Sequence, residues 1–163
     1  MKTFLVTIAL CILFSVFSVY QIDSDMYGFQ NERLKSVAED AANAAGLCLD
    51  AESFSHGYIR FDEDKGREAA RLIVEKSIPA TGYWRDSIDV EVYFYHANPD
   101  GTFSPSYYTD TDTDFTRYIY KPSVIVKLKT GKPRLRMNIF NDITNSIRIA
   151  CYEYDERLLI NNS

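Results

Sequence analysis

The sequence is poor in the residue types that most active sites and metal centres are built from. It has two histidines, three cysteines and seven glycines in 163 residues. His56 and His96 share no Cys/His spacing of the kind that holds zinc, so no zinc site is encoded. No glycine-rich phosphate loop occurs, and "SFSHG" (53–57) does not match the Gly-x-Ser-x-Gly nucleophile turn. Excess positive charge is lacking too. The net charge is −5, which argues against nucleic acid, because phosphate binding needs a basic field. No catalytic constellation, cofactor motif or small-molecule substrate site is evident, and the expectation is a chain that is not an enzyme.

Charge of either sign is missing from Thr3 to Ile22 ("TFLVTIALCILFSVFSVYQI"). A helix over these positions spans about 30 Å, the hydrocarbon thickness of a bilayer. Lys2 precedes it and Asp23 and Asp25 follow, so the positive-inside rule puts the N-terminus in the cytoplasm and the rest outside. Residues 1–22 read as a single-pass anchor in the cell membrane, or as a cleaved signal peptide ending near Val16-Phe17-Ser18. Cys11 in "IALC" hints at lipoprotein processing, but Leu10 is too large for it. Each reading exports residues 23–163 as one domain, long enough to bury a real core.

In that domain, Leu34, Val37, Ala38, Ala41 and Ala45 recur at spacings of three and four, opposite Lys35, Glu39 and Asn43. The pattern predicts an amphipathic helix over Asn31–Gly46, with Gly46 as its stop and a packing or assembly surface on its alanine face. The absence of proline between Asp23 and Gln30 lets the anchor continue into it. Asp62 predicts the cap of a second helix, Glu63–Ser77, closed by Ile78-Pro79. Glu68 and Glu75 lie on its solvated face.

Strict alternation predicts a strand over Ile88–His96, with Val90, Val92 and Phe94 buried and Asp89, Glu91, Tyr93 and Tyr95 outward. Residues 104–117 read as a long polar loop. Val124, Val126 and Leu128 alternate with Ile125, Lys127 and Lys129 in a second strand, with the two lysines outward; Leu135 and Met137 suggest a third and Ile147–Tyr152 a last. The class is α+β, two helices packed on an antiparallel sheet of three to four strands.

The alanine-rich "LKSVAEDAANAAGL" after the anchor, the second helix "GREAARLIVEKS" and the late strands "SVIVKL" and "SIRIACYEY" give a layout that resembles the TadE/TadG-like pseudopilins. That resemblance implies a pilin-like fold and a structural or assembly role in a pilus-like surface or secretion apparatus. Its partners would be the membrane and other pilus-like subunits. Processed members carry a short leader and a Glu-Tyr pair in the apolar segment; Thr3–Ile22 has no acid, which points to a minor, membrane-retained subunit. The alternative is an anchored or secreted extracytoplasmic domain that binds a ligand or a protein.

Three further features have two readings each. Cys48 and Cys151 either pair as a disulfide, as exported domains allow, or stay as buried thiols. Asp110, Asp112 and Asp114 in "DTDTD" mimic the front of a calcium loop, but Phe115 and Lys121 stand where an EF-hand needs Gly and Glu, so calcium binding there is weak at best. Residues 85–114 hold seven acids and one base, and residues 115–148 eight bases and one acid. These either pair across neighbouring strands or form complementary patches that direct head-to-tail assembly. His96 reads as a packed core or edge histidine.

Overall fold

A computed structural model describes residues 1–79, 82–85, 87–136 and 145–155. Its first element, α1, runs unbroken from Lys2 to Gly46, about 68 Å at 1.5 Å per residue. Nothing in the sequence interrupts it. Gly28, the one glycine before its C-terminus, sits in open space.

The two halves of α1 differ in surroundings. Up to Ile22 the large apolar side chains are bare. From Asp23 onward one stripe is covered, and Leu34, Val37, Ala38, Ala41, Ala42 and Ala45 are buried. Full burial of a residue such as Leu34 is worth about 1.5–3 kcal/mol. The alanines add little area but let neighbouring backbones come close.

A short helix α2 (Ala51–Ser55) follows, which the sequence reading did not include; Asp50 caps it by accepting the Ser53 N–H at 3.0 Å. Helix α3 covers Glu63–Ser77, with Asp62 accepting from the Lys65 N–H at 3.1 Å. It ends at Ile78, where Pro79 forbids another helical turn. Strand β1 (Asp89–Tyr95), a hairpin of β2 (Ser106–Thr109) and β3 (Thr116–Ile119), then β4 (Ser123–Lys129) and β5 (Ile147–Glu153) complete the chain.

Strands β1, β4 and β5 form one antiparallel sheet with β4 in the middle, in the register Val92↔Val126↔Ala150. One face carries Val90, Val92, Phe94, Val124, Val126, Leu128, Ala150 and Tyr152 against α1 and α3. The other carries Tyr95, Ile125, Ile149 and Cys151 against Tyr108 and Ile119 of the hairpin. The fold is α+β, with a long apolar N-terminal helix and a three-stranded antiparallel sheet.

Three expectations are corrected here. Residues 104–117 are not a loop throughout: β2 and β3 pair as a hairpin, with Tyr107 opposite Tyr118. Leu135 lies in no strand, and Met137 falls outside the described residues. Gly46 is not a stop beyond the helix but its last residue. Its φ is not positive, so conformation is not what calls for glycine. A Cβ there would lie 2.1 Å from Cδ1 of Tyr152, so the helix end packs directly on the ring.

Candidate functional site

Two places stand out against an otherwise ordinary α+β domain. The first is the bare half of α1. It is long and apolar enough to cross a membrane, and its most apolar stretch is not buried against the rest of the chain. Three of its hydroxyls bond within the helix: Thr7, Ser15 and Ser18 each donate to the carbonyl four residues back, at 3.0, 2.8 and 2.9 Å. Bonds of this kind keep polar donors off a lipid environment.

The second is a buried charge cluster beneath the hairpin. Alternation points Lys127 away from the helices, and β2–β3 covers that face, so the side chain is only 2% exposed. Its ammonium Nζ meets Asp110 Oδ1 and Asp112 Oδ2, each at 2.6 Å, with Glu91 Oε2 at 3.8 Å. Lys129 reaches the same Asp112 oxygen at 3.1 Å. Thr113 donates to Asp110 Oδ2 at 2.7 Å, and the Asp110 N–H to the Phe115 carbonyl at 3.0 Å, which closes the loop over the lysine.

Burial opposes ionisation of Asp110, but hydrogen bonds from Lys127 and Thr113 outweigh it and hold the carboxyl down to about 2. Burial likewise disfavours the Lys127 ammonium, and its bonds to Asp110 and Asp112 override that, holding it above the usual lysine range. A cation so held is neither a nucleophile nor a base. It is a staple between sheet and hairpin.

Asp110 and Asp112 converge, but on an amine rather than on an empty centre, and Asp114 is not part of the cluster. No group of three or more candidate ligands for a metal occurs among the described residues. The outward direction expected for Lys127 is corrected by the hairpin that covers it. Part of the charge asymmetry is spent inside the domain. Glu91 faces Lys127 and Asp89 faces Lys129 across β1 and β4, while Arg117 and Lys121 meet Glu153 at 2.7 and 3.2 Å.

The alanine stripe is also spent internally. Leu34, Val37, Ala38, Ala41 and Ala45 belong to the core shared with α3 and the sheet, so none of these five is open to a neighbouring subunit. Cys48 and Cys151 are free thiols. Of the two readings, the structure has the unpaired one: β5 turns Cys151 toward the hairpin face, while Cys48 follows α1 on the helix face and donates to the Ala44 carbonyl at 3.4 Å. His96 is an edge histidine. Its Nδ1 accepts the Phe61 N–H at 3.2 Å, so Nε2 carries the proton that faces Glu63 Oε1 at 3.1 Å.

The sequence reading missed Lys127 as a buried group. The available signal was the run "SVIVKL", apolar on both alternating faces up to the lysine, as befits a strand covered on both sides. Comparison with protein-family models, curated proteins and solved structures returns no match.

Proposed function

We propose that the protein is a single-pass membrane protein whose extracytoplasmic domain is a structural or assembly component of a pilus-like surface or secretion apparatus, of the minor TadE/TadG-like pseudopilin type. One observation carries this reading: the helix with an uncovered apolar half is the same continuous helix on which the domain core is built. Force or position imposed on the apolar half therefore passes to the domain without a hinge. The alanine face is occupied by the chain's own sheet, which leaves the bare half as the surface through which subunits meet. The N-terminus lies in the cytoplasm and the domain outside.

The test is photo-crosslinking in the native membrane from a reactive residue placed at Phe14 or Phe17. The reading expects adducts with other membrane-anchored subunits or second copies of this chain. Adducts to lipid alone, together with protein adducts from a domain position such as Leu72, would instead favour an anchored binding domain.

A further inference from the structure

Internal pairing absorbs only part of the basic run in residues 115–148. Arg117, Lys121, Lys127 and Lys129 have carboxylate partners. Lys132, Arg134 and Arg136, joined by Arg85 from the loop before β1, are exposed and make no ion pair among the described residues.

Arg85, Lys132 and Arg134 are held together by local pairing, and Arg136 follows two residues on. The Arg85 N–H donates to the Lys132 carbonyl at 2.9 Å, the Arg134 N–H donates to the Tyr83 carbonyl at 2.8 Å, and Trp84 bridges Pro133 between them. Trp84 and Pro133 are buried while Lys132, Arg134 and Arg136 are exposed. The bridge thus sets Lys132 and Arg134 on the side away from buried Pro133, with Arg136 exposed two residues on.

This bridge lies at the end of the domain where α1 leaves it. Gly46 packs on Tyr152 at the far end of the sheet, whereas the Tyr27 hydroxyl lies 3.2 Å from Ser146 Oγ at the near end. Strand β4 therefore runs toward the apolar half of α1, and Gly131–Arg136 continues past its end. Trp84 stacks edge-on against Tyr27 at 6.4 Å and Tyr83 at 5.1 Å. Through these ring contacts Tyr83, whose carbonyl accepts the Arg134 N–H, lies beside the stretch of α1 just after the apolar segment. Tyr27 is five residues beyond Ile22, or about 7.5 Å of helix. The headgroup layer outside the hydrocarbon core is about 5–8 Å deep on each side.

We propose that Arg85, Lys132, Arg134 and Arg136 form a basic collar that binds the phosphates of acidic phospholipid headgroups where α1 leaves the bilayer. The proposal rests on reading Thr3–Ile22 as the membrane span. Guanidinium groups suit this ligand because their planar fork matches phosphate oxygens. The bilayer is the source of phosphate because the anchor keeps the collar at headgroup depth, and the chain as a whole, at −5, is not a general polyanion binder. Binding there would fix the rotation of α1 and keep the domain seated on the membrane.

The test uses the full chain in nanodiscs of equal phosphatidylcholine and phosphatidylglycerol, with native mass spectrometry counting retained lipids. Juxtamembrane bases each attract acidic lipid, so the expected preference for phosphatidylglycerol is roughly tenfold or more. Replacing all four bases by Gln should bring it to near parity. Replacing the three arginines by Lys should keep most of it, and so should Arg60→Gln with Arg67→Gln at the far end of the domain. A chain that enters the disc but shows no preference, or keeps it without the four bases, overturns the collar and leaves the anchor standing. A chain that does not enter the discs overturns the anchor, and the collar with it.

Discussion

The two faces of the three-stranded sheet are closed in opposite ways. Against one face lies α1, which contributes alanines and Gly46 and so brings backbone nearly onto the sheet. Against the other lies a two-stranded hairpin, which contributes Tyr108 and Ile119 and two aspartates around Lys127. The first face gains stability from close approach and is intolerant of added volume. The second gains it from a satisfied charge cluster and is intolerant of a lost partner. The same strand, β4, serves both, with Val124, Val126 and Leu128 on one side and Ile125 and Lys127 on the other.

The contrast is broken most severely from the charged side. Lys127→Met leaves Asp110 buried beside Asp112 with no counter-ion. The expected loss is about 3 kcal/mol, at the lower end for a broken buried pair because only a hairpin covers the site. Denaturant unfolding of Lys127→Met checks this. The double variant with Asp110→Asn should recover part of the loss, as coupled partners do.

On the helix face the corresponding break is one carbon. Gly46→Ala drives a Cβ into the Tyr152 ring, and the ring or the helix end must shift, at a cost of about 2–3 kcal/mol. Gly46→Ala paired with Tyr152→Leu should be milder than Gly46→Ala alone in thermal unfolding. Next in size, Ala41→Leu overpacks the buried stripe by about 1–3 kcal/mol. Asn43→Leu, on the exposed side of the same turn, should stay within about 0.5 kcal/mol. Equal stability of the two leucine variants would mean that the helix does not pack on its own sheet.

The smallest effect is acid sensitivity of the hairpin face. The Asp110 carboxyl sits at about 2 against an ordinary 3.8. Its folded value is depressed, so its contribution is fully present above the unfolded value near 3.8 and is lost as pH falls from there toward 2. Tyrosine fluorescence of the hairpin should therefore be flat from neutral pH down to about 4. It should change only below that, and Asp110→Asn should remove this part of the response.

The two faces also differ in how far they could be read from sequence. The helix face was legible because its periods are long: Leu34 to Ala45 repeats at helical spacing, and Ile88 to Phe94 alternates over seven positions. The bounds Glu63–Ser77 of α3 follow directly from Asp62 and Pro79. The hairpin face was not legible, because β2 and β3 are four residues each and too short for alternation to show above the polar residues around them. A lysine in a strand reads as a solvent-facing residue until something is known to cover it, so Lys127 was assigned outward. Gly46 was recognised as special for the wrong reason, since a contact with Tyr152, far off in sequence, has no local signature. The free state of Cys151 has the same origin, because the face on which β5 places it is set by pairing with β4.

The central claim is that α1 is one rigid helix that spans the membrane and carries the domain core. Spin labels placed singly along residues 10–30 of the bilayer-reconstituted chain test it, read by power saturation with oxygen and a water-soluble relaxant. The account predicts helical mobility throughout, lipid accessibility on all sides up to Ile22, and from Asp23 onward a one-sided pattern protected on the face toward the domain. Water accessibility around Leu13 and Phe17, or a mobile non-helical break between Asp23 and Gln30, would contradict it.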